Sequence, residues 1–295
     1  MSCYRFITAQ AAQHPVALSC RVLGVSRSGY YAWRGRAASA RAQADAALTT
    51  RITAIHAASR QTYGSPRVQA ELRATGERCS RRRVARLMRL AGLRGCHGRR
   101  QRVRTTTPDH QALPAPDRVE RAFAPAVIGA PDRLWVADIS YVPTQEGWLF
   151  LAVVLDAFSR RVVGWAMADH LRTELVTAAL TMALRRRRPA AGLIHHSDRG
   201  CQYTSLAFGQ QLREADILPS VSSTGDCFDN AVAEAFFATI KVELLHRQAW
   251  PTRAAAQLAS FDYIEVWYNR RRRHSTLGYA TPIEFEALAK EPAVA

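Results

Sequence analysis

Three acids in the second half of the chain stand where folding alone would not place them. Asp138 interrupts an otherwise apolar run, WVADISYV. A buried, unpaired carboxylate is expensive, so such an Asp needs a metal ion or a cationic partner. Asp198 closes the segment LIHHS and heads the loop DRGCQYTS. The carboxyl ends of strands are where α/β sheets build their sites. Glu234 follows with 35 residues between. Three converging carboxylates make an all-oxygen site suited to Mg²⁺ or Mn²⁺. Two such ions, roughly 3.5–4 Å apart, can clamp the attacking and leaving oxygens of an in-line phosphoryl transfer. One ion activates water or a DNA 3′-hydroxyl, and the other steadies the leaving oxygen. The protein then needs no covalent nucleophile.

The elements that must hold these acids are legible. Residues 220–245 read as a polar turn followed by an amphipathic helix, with Ser222 to Asp226 supplying the turn and Asp229 the cap. Phe236, Ile240 and Leu244 recur every four residues and mark its apolar stripe. Glu234 lies off that stripe, and Lys241 falls about two turns, roughly 10 Å, further along the same face. A carboxylate and a lysine so placed suit a metal site beside a polyanion. Taken alone, most such pairs are merely solvated. From Asp132 onward, LWVADISYV, WLFLAVVLDAF and RVVGWAMA read as strands, with turns at Thr144–Gly147 and Ser159–Arg160. A helix over 173–187, the strand LIHHS, a helix over 205–215 and the strand ILPSVS follow. Helices over 252–268 and 282–289 close the chain. Strands first, then alternating helix and strand, describe a mixed sheet with helices on both faces.

The front of the chain differs in charge. The net charge is +17, with 23 Arg against 6 Asp/Glu in residues 1–130 and 18 basic against 18 acidic residues thereafter. A basic front joined to a charge-balanced rear suggests a nucleic-acid-binding arm on a folded core. Residues 15–34 read as two short helices around Gly24, with Leu18, Val22, Val25, Tyr30 and Trp33 as their junction. A helix-turn-helix and a plain helical hairpin both fit them. A second unit is clearer. Pro66 opens a helix with Val68 and Leu72 inward, and Gly76 ends it. Ser80 caps the next helix, whose apolar side is Val84, Leu87, Met88 and Ala91. Arg81, Arg82, Arg83, Arg86 and Arg89 line its outer face with no acid among them, as a DNA-facing helix requires. Residues 98–118, basic and then Pro-rich, read as a linker. No apolar run reaches membrane-spanning length and the N-terminus has no signal-peptide core, so the cytoplasm is the expected compartment. The six cysteines form no CxxC pair and read as free thiols.

Five segments carry a family resemblance: WVADISYV, LDAFSRRVVGW, HHSDRGCQYTS, GDCFDNAVAEAFFATIKVE and YNRRRRHSTLGYATP. Together with VSRSGYYAW and YGSPRV in front, they resemble the bacterial insertion-sequence transposases, in particular the downstream-frame (OrfB) product. The resemblance covers nearly the whole chain. It implies a retroviral-integrase-like DDE core whose metal ligands fall on Asp138, Asp198 and Glu234. It makes Lys241 a DNA contact near the scissile phosphate and matches Tyr268, Asn269, Arg272 and His274 to a C-terminal signature. It implies a ribonuclease-H-like α/β fold, a five-stranded mixed sheet flanked by helices and preceded by small all-α helix-turn-helix modules. The expected layout is a helical segment over 1–58, a basic helix-turn-helix over 59–105, a linker over 106–124, a catalytic core over 125–288 and a tail over 289–295. Expected partners are the element's terminal repeats and target DNA, an upstream-frame (OrfA) product, and further copies of this chain on DNA. One departure is Asp226, where the family pattern has Asn.

Other polar residues have plainer readings. His195 and His196 face opposite ways on a strand, so both cannot bind one ion, and a structural role suits them. Asp156 suits a turn cap or a partner for Arg160, and Asp229 and Asn230 suit caps. Arg185–Arg188 fit a solvated helix end or a DNA track equally. Arg270–Arg273 with His274 lean towards DNA. Cys201 and Cys227 are packing residues. Two rival functions stand beside the transposase: a hydrolytic nuclease on the same fold, and a non-catalytic DNA-binding relic.

Overall fold

The computed structural model describes residues 2–97, 117–119, 122–221 and 230–290. The linker expected over 106–124 falls mostly outside these residues, as do Asp226, Cys227 and Asp229. The chain divides into two compact units, Met1–Ala54 and Ile55–Ala295.

In the first unit, helices α1 (Cys3–Gln10), α2 (Val16–Val22) and α3 (Arg27–Arg34) precede the long α4 (Ala40–Ala58), which runs past the division. Gly24 turns the chain at φ +63°, and the Ser26 hydroxyl accepts the Gly29 N–H at 3.0 Å to cap α3. The junction differs from expectation. Ile7, Cys20 and Tyr30 are its buried residues, backed by Tyr4, Val16, Val25 and Trp33. Leu18 and Val22 are 45% and 74% exposed. The reason is α1, which the sequence reading did not foresee. It packs on the Val16–Cys20 face of α2 and leaves the other face to solvent.

The second unit holds α5 (Ser65–Ala74) and α6 (Arg81–Leu90). Val68 and Leu72 are buried, Gly76 ends α5 at φ +82°, and the Ser80 hydroxyl accepts the Arg83 N–H at 3.3 Å. Val84, Leu87 and Met88 are buried on α6. Ala91 is exposed, because it caps the helix end instead of lying within the stripe. Arg81, Arg82 and Arg89 are exposed, while Arg83 and Arg86 are half-buried. After a short α7 (Pro125–Ile128) comes the sheet: β1 (Leu134–Thr144), β2 (Gly147–Asp156), β3 (Val162–Ala168), β4 (Ile194–Ser197) and β5 (Leu218–Val221). Its order is β3-β2-β1-β4-β5, with antiparallel pairing from β1 to β3 and parallel pairing from β1 through β4 to β5. This is the mixed five-stranded sheet expected.

Side chains of β1 alternate between faces. Trp135, Ala137 and Ile139 enter the core shared with α8 (Thr173–Arg187) and α9 (Leu206–Glu214). A Cβ on Gly164 of β3 would stand 2.2 Å from the Ala179 carbonyl oxygen, so only glycine lets α8 lie this close. Against β1 also lies α10 (Ala231–Ile240). Its continuation, Lys241–Leu245, is a π-helical turn. That wider turn rotates the stripe, so Glu243 and Leu245 turn inward, and Leu244, expected in the stripe, is only half-buried. Likewise α11 (Arg253–Phe261) widens into a π segment over Asp262–Tyr268, where one plain helix was expected. The last helix is α12 (Pro282–Lys290).

The C-terminal segment binds the second unit together. Asn269 mimics a strand residue at the β3 edge, accepting the Val162 N–H at 2.9 Å and donating to its carbonyl at 3.0 Å. The Tyr63 hydroxyl accepts the Arg273 N–H at 2.7 Å, Arg67 donates to the Arg273 carbonyl at 3.0 Å, and Arg273 donates to Glu71 at 3.0 Å. The module carrying α5 and α6 therefore packs directly on the end of the chain.

Candidate active site

Register brings the first two acids together. Leu134 pairs with Ile194, Trp135 with His195 and Val136 with His196 in the parallel β1–β4 ladder. The ladder ends there, two residues short of both Asp138 and Asp198, and the Asp198 charge acts on Asp138. The Asp138 carboxylate accepts the Ile139 N–H at 2.7 Å, and Asp198 accepts the Gly200 N–H at 3.0 Å. Glu234 arrives on the first turn of α10. Just before that turn, the Asn230 amide donates to the Ala137 carbonyl at 3.0 Å, beside Asp138 on β1. Asn230 was expected to cap α10. It makes no side-chain cap and instead pins the helix to the strand.

The three acids share one electrostatic environment. Asp138 is pushed up to about 7 by burial, then by the Asp198 and Glu234 charges, while the Ile139 N–H and Lys241 pull the other way. Burial also raises Asp198, against the Gly200 N–H, and raises Glu234. Lys241, at the end of α10, is half-buried and close enough to act on Asp138, so its ammonium lies within the field of the cluster. A buried Asp138 penalised by the charges of Asp198 and Glu234 fits a hard divalent cation, which would relieve that penalty. Among the described residues, no group of three or more His, Cys, Asp or Glu side chains is gathered closely enough to hold an ion.

The neighbouring histidines are structural. His195 is fully buried against Phe208, with ring centroids 5.2 Å apart, and is driven down to about 3 by burial and by His196. His196 meets the Ser220 hydroxyl at 2.9 Å. Asp156 caps its turn, accepting the Asp132 N–H at 2.7 Å and the Ser159 N–H and hydroxyl at 2.8 Å each. Arg187, read as solvated or on a DNA track, instead bonds Asp132 and Glu286.

Two expected DNA contacts must be corrected. Arg272 is 4% exposed and His274 7%. Arg272 forks onto Glu243, with Nε 2.9 Å from Oε2 and Nη2 2.7 Å from Oε1. Tyr263 donates to the same carboxylate at 2.8 Å, and Arg67 stands 3.8 Å away. His274 lies edge-on to Tyr268 at 4.9 Å. Once the π turn buries Glu243, that carboxylate demands a cation, and Arg272 supplies it. Burial raises Glu243, but hydrogen bonds and charge from Arg272 outweigh it and leave the carboxyl below the usual range. The sequence reading missed Glu243, although the signal was there. It is a lone acid in the apolar run KVELL, the pattern that singled out Asp138.

Comparison with known proteins gives the family. The family description "Integrase core domain" matches residues 129–227, a second one of that description matches 234–288, and "HTH-like domain" matches 43–102. The transposase InsF for insertion sequence IS3A of Escherichia coli K12 is 38% identical over 96% of this chain and 98% of its own. The transposase for insertion sequence element IS629 of Shigella sonnei is 40% identical over 93% of this chain and 92% of its own. Among solved structures, the catalytic core domain of BIV integrase aligns with a TM-score of 0.41 at 18% identity, covering 54% of this chain and 96% of that one. Identity of this order over almost the full length of both chains shows that the protein belongs to the insertion-sequence transposases with an integrase core.

Proposed function

We propose that Asp138, Asp198 and Glu234 are the metal ligands of this transposase, holding Mg²⁺ or Mn²⁺, with two ions at the reacting phosphate. The observation that carries this reading is the parallel β1–β4 ladder, which ends two residues before both Asp138 and Asp198, beside the Ala137 carbonyl to which Asn230 anchors the Glu234 helix. When bound, the ions would supply charge stabilisation and activation of the attacking oxygen in phosphoryl transfer. The chain's own groups do the rest. The Ile139 and Gly200 amides orient the two aspartates, and Lys241 offers a point charge to a phosphate of the element end. The reaction is cleavage at the element ends, then joining of the freed 3′-hydroxyl to a target phosphate. Arg81, Arg82 and Arg89, with Arg83 and Arg86, contact the DNA backbone from α6. The layout read from the sequence, residues 1–58, 59–105 and 125–288, belongs to this proposal, as do an upstream-frame partner and further copies of the chain on DNA.

Alanine at Asp138, Asp198 or Glu234 should abolish cleavage and joining of labelled end DNA while DNA binding persists. Lys241→Ala should weaken engagement of the end yet keep Mn²⁺ binding in the absence of DNA. Near-normal joining in Mg²⁺ by any triad variant would sink the assignment. Cleavage without joining in the wild type would favour a hydrolytic nuclease instead.

A further inference from the structure

Tyr203 closes the turn that begins at Asp198. Its N–H donates to the Gly200 carbonyl at 3.0 Å, and the Gly200 N–H donates to Asp198 at 3.0 Å. Its ring is fixed in the core, edge-on to Phe208 at 5.4 Å and tilted against His195 at 6.1 Å, with only 8% of the residue exposed. A Cβ on Gly200 would stand 3.1 Å from Asp198 Oδ1 and 3.7 Å from Tyr203 Cδ2. The ring, the carboxylate and the Gln202 side-chain oxygen, also 3.1 Å from that position, therefore border the same small gap, which glycine keeps open. The hydroxyl is buried and has no hydrogen-bond partner among the described residues. Burial, together with the charges of Asp138 and Asp198, keeps the phenol protonated, so it stands within the field of both aspartates with an O–H to give.

A buried hydroxyl without a partner is costly, and such exceptions call for a reason. The packing of the ring supplies none, since phenylalanine would pack as well. We propose that the Tyr203 hydroxyl is a positioning group for the candidate metal site, donating to a carboxylate of the Asp138–Asp198 pair as that pair closes on an ion. This rests on the metal-site reading above. Donors behind ligating carboxylates fix their orientation, and their loss typically weakens metal binding about tenfold or more. Tyr203 touches no reacting atom and acts only through the aspartates.

The test is Tyr203→Phe in the full chain, with two readouts: thermal melting in chelator, and titration with Mn²⁺ alone. The ring stays and only the orphaned O–H goes, so the melting temperature should hold or rise. The Mn²⁺ concentration for half-saturation should rise about tenfold. Unchanged Mn²⁺ affinity would overturn the inference and leave Tyr203 a packing residue. A lower melting temperature in chelator would also count against it, since the hydroxyl would then already serve the fold. Asp138→Ala and Asp198→Ala run alongside separate the two levels. If they bind Mn²⁺ as the wild type does, the metal-site reading itself fails. If only they lose it and Tyr203→Phe does not, the positioning role alone fails.

Discussion

At the residue scale, Asp138 carries a cost to stability. Its folded carboxyl sits at about 7, above the ordinary Asp value, because burial and two neighbouring carboxylates penalise its charge. The sign follows directly. Below the ordinary value, Asp138 is protonated folded or unfolded and costs nothing. Between that value and about 7, only the unfolded chain ionises, so stability falls as pH rises. Above 7 the full penalty is present. Asp138→Asn should therefore melt higher than wild type at pH 8 in chelator, by roughly 3 °C or more, and match it near pH 3. His195 titrates across part of the same window in the opposite sense, being held neutral by burial. Taking the difference between the two proteins at each pH removes its contribution. A gap that did not change with pH would mean the carboxylate is solvated after all.

At the element scale, the π turn after α10 decides which side chains meet the core. It turns Glu243 inward two residues after Lys241, and the buried Arg272 answers it. Arg272→Ala leaves that carboxylate buried without its main partner and should cost about 3–5 kcal/mol in urea unfolding. The loss should appear at neutral pH, where Glu243 is charged. It should shrink as pH falls through the depressed carboxyl value, because protonated Glu243 no longer needs the guanidinium. DNA binding by folded Arg272→Ala should keep its salt slope. Arg81→Ala, Arg82→Ala and Arg89→Ala should do the reverse, holding stability while each lowers the slope of log K against log salt by about 0.9. Were Arg272→Ala to change the slope and not the stability, the guanidinium would have to face the nucleic acid.

At the scale of the whole molecule, the basic module is no arm on a tether. Helix α5 is fastened to the C-terminal segment through Arg67 and Glu71, and so is Tyr63 just before it, whose ring lies 5.6 Å from that of Trp267. The division between compact units falls at Ala54/Ile55, within α4. A fragment covering 55–290 should therefore melt in one cooperative transition. A fragment covering 125–290 exposes the surface under Tyr63 and leaves Arg273 without Glu71, so it should melt lower and over a broader range. Equal melting temperatures would show that the α5–α6 module contributes nothing to the fold of the sheet.

What the sequence determined by itself was every feature written in local pattern. The five strands follow from alternating or continuous apolar runs between turn residues, and Ser26, Ser80 and Gly76 announce helix ends by their own chemistry. The three acids stand out because each sits in a context that would otherwise be apolar or at a strand end. Burial depends instead on what comes back to cover a segment, and that is a long-range fact. Helix α1 reached α2 on a face the pattern had not chosen, so Leu18 and Val22 stayed in solvent. Arg272 and His274 read as DNA-facing because they stand in a run of arginines. Only the tertiary structure showed that one extra residue in the turn after α10 drives Glu243 into the core, and a carboxylate there draws in whichever arginine can reach it.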